Sequence, residues 1–368
     1  HVLLPSMVCW CDVRAGCGGS VEAGGDGVPA HRTAVPYLVF FARRRRATRS
    51  HEALLGPTCA ARGFLWAGGI RGSRGRPSTL RCVASCVLDG RMTSWIAPHL
   101  VLGTMHFGTK TDGATSFALM DRYVDAGGRT LDTANCYAFW ANPTGAGGQS
   151  EQTIGAWLRA NAGIREGLTI ATKVGQEPAR AGDFTEWEGL APDVIATQFE
   201  RSRERLGIDV VDVYWAHGED RSTPMADVVA ALGSLVAQGK AKRLGVSNHP
   251  TWRVEQARML AAEQGVEPLT ALQLTTSYVR PRPDTQVPGK DHRFGFVSDE
   301  TIDYLETHDD LECWAYSPLI QGAYDRDDRP LPEVYDHPGT TRRLSALRSV
   351  ADEPVSYTHL RAHETRHD

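Results

Sequence analysis

A carboxylate, a phenol, an ammonium and an imidazole recur in this chain at or just beyond the ends of apolar runs, and together they can move a proton. Asp132 closes Thr130-Leu-Asp132, and Tyr137 follows five residues later. Lys173 ends Thr169-Ile-Ala-Thr-Lys173, His217 ends Val213-Tyr-Trp-Ala-His217, and Ser247-Asn248 end Leu244-Gly-Val-Ser-Asn248. A tyrosine hydroxyl titrates near ~10, too high for easy proton exchange at neutral pH. A nearby ammonium favours the phenolate and lowers that value by about 1–3 units. Burying the ammonium alone is costly, so Asp132 is its expected counter-ion. His217 would then orient a carbonyl oxygen while Tyr137 protonates it as negative charge develops.

This set protonates an alkoxide but carries no hydride, which a cofactor must supply. No Gly-x-Gly-x-x-Gly stands between a strand and a helix, so a Rossmann site is not supported. Gly145-Ala-Gly-Gly148 sits in a long loop without a following lysine and reads as loop flexibility. Each residue has a plainer use. Asp132 could satisfy turn N–H groups, Tyr137 could pack a loop, Lys173 could hold its head in solvent, and His217 could be structural. Their ordered appearance on successive strand ends favours the joint reading.

The elements that must hold them alternate. Strands are expected at Leu100–Thr104, Thr130–Asp132, Leu168–Lys173, Val210–Ala216, Lys242–Ser247, Leu272–Thr276 and Glu312–Ser317. Helices are expected at Ala114–Ala126, from Ser150-Glu151 with the serine as cap, and at Ala191–Leu206, Pro224–Gln238, Thr251–Gln264, Asp299–His308 and Arg342–Val350. Val210–Ala216 is apolar on both faces, as a buried parallel strand requires. Seven such units predict an α/β fold, a (β/α)8 TIM barrel, with the eighth unit missing at the C-terminus. In that fold the active site lies at the C-terminal strand ends.

The chain has 368 residues, and 41% of them are apolar, enough for a sizeable core. A net charge of −4 argues against a general nucleic-acid binder. No run approaches the ~18 apolar residues of a membrane span. Residues 1–91 differ in character. They hold six of the eight cysteines (Cys9, Cys11, Cys17, Cys59, Cys82, Cys86) and thirteen arginines without a lysine, and they lack sustained periodicity. We expect 1–91 to be a non-globular, disordered or non-native extension, translated from upstream of a start at Met92. A basic arm around Arg43 to Arg46 is the second choice and a metal domain the third. Residues 92–354 form the expected barrel. In 355–368, His359, His363 and His367 have helical spacing but resemble a translated adaptor sequence, an artefactual tail and not a metal site.

From about residue 100 to 352 the sequence resembles the aldo-keto reductase family. The resemblance rests on Leu131-Asp-Thr-Ala-x-x-Tyr137, Ser150-Glu151, Thr172-Lys173, His217, Gly245-Val-Ser-Asn248, Gln273 and Ala315-Tyr-Ser-Pro-Leu319. It implies a catalytic tetrad of Asp132, Tyr137, Lys173 and His217. Ser247, Asn248 and Gln273 would hold a nicotinamide carboxamide and Tyr316 would stack on the ring. Thr104, Met105, Ser317 and Leu319 would touch ribose and phosphates. The implied activity is NAD(P)H-dependent reduction of small aldehydes or ketones to alcohols, with NADP(H) preferred to NAD(H), in the cytoplasm and without nucleic-acid or membrane partners. Two departures stand out. The loop Ala138 to Gln149 is long, and the segment that grips the 2′-phosphate has no counterpart. A redox-sensing regulatory barrel resembling a channel β-subunit, binding NADP(H) and a protein partner, is the alternative. A Schiff-base enzyme using Lys173 is a third, weakened because Asp132 would keep that lysine protonated.

Overall fold

The structure, a computed structural model, describes residues 38–42, 100–285, 294–324, 326 and 328–351. The strands in chain order are β1 (Leu38–Ala42), β2 (Leu100–Gly103), β3 (Thr130–Asp132), β4 (Thr169–Val174), β5 (Pro178–Arg180), β6 (Asp183–Trp187), β7 (Val211–Ala216), β8 (Ala241–Ser247), β9 (Ala271–Thr275) and β10 (Glu312–Tyr316). The helices are α1 (Gly113–Asp125), α2 (Gln149–Ala160), α3 (Pro192–Leu206), α4 (Met225–Ala237), α5 (Thr251–Gln264), α6 (Asp299–Thr307) and α7 (Pro338–Ala351). The seven expected strands are present within a few residues of their expected bounds.

These seven strands run parallel in the order β2-β3-β4-β7-β8-β9-β10 and curl into a barrel wall. Strand β1 pairs antiparallel with both β2 and β10 and closes the ring where the eighth strand was expected to be missing. The sequence reading made no provision for this strand. A seven-stranded wall leaves two open edges of unpaired N–H and C=O groups, and an apolar extended run satisfies both. Cys9, Cys11, Cys17, Cys59, Cys82, Cys86, Arg43 to Arg46, Met92, His359, His363 and His367 lie outside the described residues.

Side chains pack in two shells. Inside the barrel, Trp215 and Trp314 meet edge to face with ring centroids 5.0 Å apart, flanked by Val101, Ala171, Val213 and Ala271. A Cβ at Gly245 would come within 2.3 Å of the Trp215 ring, so β8 needs glycine there. Outside, Ile195, Phe199, Val228, Leu232, Val254 and Ala257 of α3–α5 press on β7, β8 and β9, and Met120, Ile154 and Trp157 of α1 and α2 press on β2–β4.

Helix ends follow local chemistry. Asp112 accepts the Thr115 N–H at 2.8 Å to start α1. Ser298 and Thr301 form a capping box on α6. The expected Ser150 cap is not observed. Gly148, in a left-handed conformation at φ 103°, precedes α2, and Ser150 lies inside the helix with its hydroxyl turned to Thr104 and Thr133 at 2.8 Å. A buried hydroxyl finds better partners on the barrel rim than on its own helix end. Between Lys173 and α3 the chain also forms a hairpin, β5–β6, that periodicity did not suggest.

Candidate active site

The ends of β3, β4 and β7 share one rim of the barrel. Asp132 is the last residue of β3, Lys173 the fifth of β4, and His217 follows β7 directly, its N–H donating to Val174 O at 2.8 Å. Lys173 is fully buried. Its Nζ donates to Asp132 Oδ2 at 2.6 Å, to the Thr133 carbonyl at 2.7 Å and to Tyr137 Oη at 2.8 Å, so every ammonium hydrogen has an acceptor. Tyr137 is half-buried and stands edge-on to His217 with centroids 5.7 Å apart. Asp132, Tyr137, Lys173 and His217 therefore meet at one point.

The electrostatics are those of a dry site. Burial pulls Lys173 below the ordinary ammonium range and pushes Asp132 above the carboxylate range, and each is the main charge opposing the shift of the other. The phenol departs from the sequence expectation. Burial, then the negative charge of Asp132, hold Tyr137 well above its ordinary value instead of below it. Sequence spacing supplied the ammonium but not the desolvation, and the nearby carboxylate offsets the lysine charge. A phenol so placed keeps its proton until a stronger base forms beside it.

His217 has a neighbour that sequence reasoning passed over. Cys136 Sγ lies 3.5 Å from His217 Nδ1, and burial keeps the thiol protonated. Its position beside Tyr137 was the only signal available.

The remaining candidates fall in two groups. Ser247 and Gln273 sit opposite each other on β8 and β9. Ser247 Oγ donates to Gln273 Oε1 at 3.3 Å, and Gln273 Nε2 donates to Asp132 Oδ2 at 3.3 Å. Asn248, at φ 61°, donates to His217 O at 3.0 Å and accepts from Tyr316 Oη at 2.5 Å. These four residues join the tetrad in one hydrogen-bonded patch. Thr104 turns away: it is fully buried, and its hydroxyl donates to Asp132 O at 2.9 Å. Met105, Ser317 and Leu319 are part-exposed on the same rim.

The loop after Tyr137 and the β5–β6 hairpin bring together a group of rings that the sequence reading did not assemble. Phe139 packs against Trp140, Phe184 and Trp187 with centroids 4.9, 5.0 and 5.8 Å apart, and His106 meets Trp140 at 6.0 Å. Trp140, Phe184 and Trp187 stay exposed. Two come from the long loop after Tyr137 and two from the β5–β6 hairpin.

The model of the aldo/keto reductase family matches residues 99–358. An uncharacterized oxidoreductase, YrpG, of Bacillus subtilis is 34% identical over 166 residues, 45% of this chain and 50% of that protein. Aflatoxin B1 aldehyde reductase member 2 of Mus musculus is 33% identical over 175 residues, 46% of this chain and 42% of that protein. The NADP(+) aryl-alcohol dehydrogenase of Phanerodontia chrysosporium is 32% identical over 181 residues, 45% of each chain. The chain spans about half the length of these curated relatives.

Proposed function

The chain belongs to the aldo/keto reductase family, and from that membership we propose that it reduces an aldehyde or ketone to an alcohol, with Tyr137 as proton donor and NADP(H), before NAD(H), as reductant. The observation that carries the reading is the chain of contacts from Asp132 Oδ2 through Lys173 Nζ to Tyr137 Oη, at 2.6 and 2.8 Å.

A hydroxyl and two carboxamides on adjacent strand ends, Ser247, Asn248 and Gln273, are chemically suited to a nicotinamide carboxamide, and Tyr316 borders them. When bound there, the cofactor supplies the hydride to the carbonyl carbon. The protein's own residues do the rest. His217 and Tyr137 hydrogen-bond the carbonyl oxygen and fix its direction. As that oxygen gains negative charge it becomes a stronger base than phenolate, and the proton leaves Tyr137 Oη for it. Lys173 already donates to Oη, so the phenolate is stabilised as it forms, and Asp132 keeps the ammonium charged. With its thiol protonated, Cys136 favours the His217 tautomer in which Nδ1 accepts and the Nε2 hydrogen is left for the substrate.

The substrate class we propose is a planar aromatic carbonyl compound. Four rings on the loop that follows the phenol and on the hairpin packed against it offer stacking faces, and one relative is named for aryl alcohols. Replacing Tyr137 by Phe tests the reading. Turnover of a simple aromatic aldehyde should fall by roughly 10²–10⁴, while quenching of cofactor fluorescence on binding stays intact. Turnover near wild type in that variant would remove Tyr137 from the reaction.

A further inference from the structure

Two glutamates outside the tetrad brace the loop that carries the phenol. Glu188, just after β6, accepts from Asn135 Nδ2 at 2.7 Å and from Gly175 N at 2.7 Å through the same oxygen, Oε1. Asn135 lies two residues before Tyr137, and Gly175 two residues after Lys173. Glu188 thus ties the tyrosine loop to the lysine strand. Glu177 Oε1 accepts from Gly147 N at 2.7 Å. The next residue, Gly148, donates its N–H to the Tyr137 carbonyl at 3.3 Å, so Glu177 holds the far end of the same loop. The two ends fit closely: a Cβ at Gly147 would lie 2.5 Å from the Cys136 carbonyl.

The two side chains are neighbours. Glu188 Oε1 also approaches the Glu177 N–H at 3.4 Å, and Glu188 N donates to Glu177 O at 2.9 Å. Among the described residues, Glu177 Oε2 is buried without a hydrogen-bond partner, while Gln198 on α3 hydrogen-bonds Glu188. Ionised carboxylates rarely leave buried oxygens unpaired. Burial, then the charge of Glu188, raise Glu177 to about 7; burial raises Glu188 too. Arg205 on α3 opposes the shift of Glu177, Glu151 on α2 adds to it, and Cys136 is the titratable group on the loop side.

We propose that Glu177 and Glu188 are positioning residues that latch the Tyr137 loop to the Lys173 strand and hold a proton while the loop is closed. Their role in the reaction rests on the carbonyl-reductase reading, whereas the latch itself does not. Glu177 binds its proton more tightly in the closed loop than when hydrated, where its ordinary value is 4.5. Closure is therefore fully favoured below about pH 4.5 and loses that advantage as pH rises towards about 7. Opening should grow with pH across that window and level off above it.

The test is amide hydrogen exchange of the full chain, followed on peptides covering 134–148 and corrected for intrinsic rates. Between pH 5 and 8 protection should fall by roughly tenfold in the wild type, well under the linkage limit because Glu177 is partly hydrated. Glu177→Gln keeps the acceptor for Gly147 and removes the charge, so its protection should fall by no more than about threefold, the remainder belonging to Glu188. An equal fall in Glu177→Gln, or protection that rises with pH in the wild type, overturns the latch. In turnover, Glu188→Ala should lower kcat by about tenfold or more with cofactor affinity unchanged within about twofold, and Glu188→Gln should restore most of it. Unchanged kcat, or equal losses in kcat and cofactor affinity, overturns the positioning role. If neither protein turns over a carbonyl compound, the carbonyl-reductase reading fails, and the exchange data still decide the latch.

Discussion

Replacing Lys173 by Met should destabilise the protein in a strongly pH-dependent way. The side chain is fully buried and its Nζ sits 2.6 Å from Asp132 Oδ2. At an effective dielectric of ~20, two unit charges at that separation attract by about 6 kcal/mol. Much of this offsets desolvation, so the pair's net contribution is smaller than the cost of breaking it. Methionine fills the volume but leaves Asp132 charged, buried and unpaired, which costs about 3–5 kcal/mol. The carboxylate has one escape, which is to take up a proton. For a carboxyl whose ordinary value is 3.8, that costs about 4 kcal/mol at pH 7 and about 1.4 kcal/mol less for each unit of acidification. In the variant Asp132 holds its proton more tightly folded than unfolded. Folding is therefore least impaired near pH 4–5 and loses stability as pH rises. Urea unfolding followed by tryptophan fluorescence, at pH 5 and pH 8, measures this directly. The deficit relative to wild type should be about 1–2 kcal/mol at the lower pH and about 4 kcal/mol or more at the higher, within the range for a broken buried pair. Adding Asp132→Asn, which keeps an acceptor for Gln273, should recover roughly 2 kcal/mol or more at pH 8 and abolish the pH dependence. A deficit below about 1 kcal/mol, or one equal at both pH values, would refute the buried pair as the anchor of the site.

Other consequences can be measured alongside. Gly245→Ala pushes a Cβ to 2.3 Å from the Trp215 ring and should cost roughly 1–3 kcal/mol, seen as a Tm several degrees lower; an unchanged Tm would contradict the close approach of β8 to that ring. Phe184→Ala removes one ring from the group around Phe139. It should raise KM for an aromatic aldehyde roughly threefold to tenfold and leave a short aliphatic aldehyde unaffected. Equal effects on both substrates would detach the rings from recognition. Cys136→Ala removes the thiol beside His217 Nδ1 and should lower kcat about twofold to tenfold without changing cofactor binding, measured by fluorescence titration. An unchanged kcat would show that the imidazole needs no help from that sulfur.

Seven strands and their polar ends were legible because each is a local pattern. A run such as Val211–Ala216 declares burial on both faces, and Asp132, Lys173 and His217 follow from where such runs stop. Ser150 was misread for an equally local reason. Its type suits a helix start, but Thr104, 46 residues away, offers its hydroxyl a buried partner. The β5–β6 hairpin carries polar and aromatic residues with no buried stripe, so periodicity had nothing to register. Glu177 and Glu188 stand in no motif of the sequence, and only the fold places Gly147, Asn135 and Gly175 against them.

What the sequence determined by itself is the parallel α/β order and the identity of the four groups on one rim, since hydrophobic period and chain direction fix which residues end a strand. What only the tertiary structure decided is their electrical state and their company. Lys173 and Asp132 are 41 residues apart in the chain and 2.6 Å apart in space. The direction in which Tyr137 titrates depends on how much water every surrounding element removes. The strand that closes the ring was settled by the two open edges it satisfies. Desolvation and edge pairing are sums over the whole fold, and no window of sequence contains them.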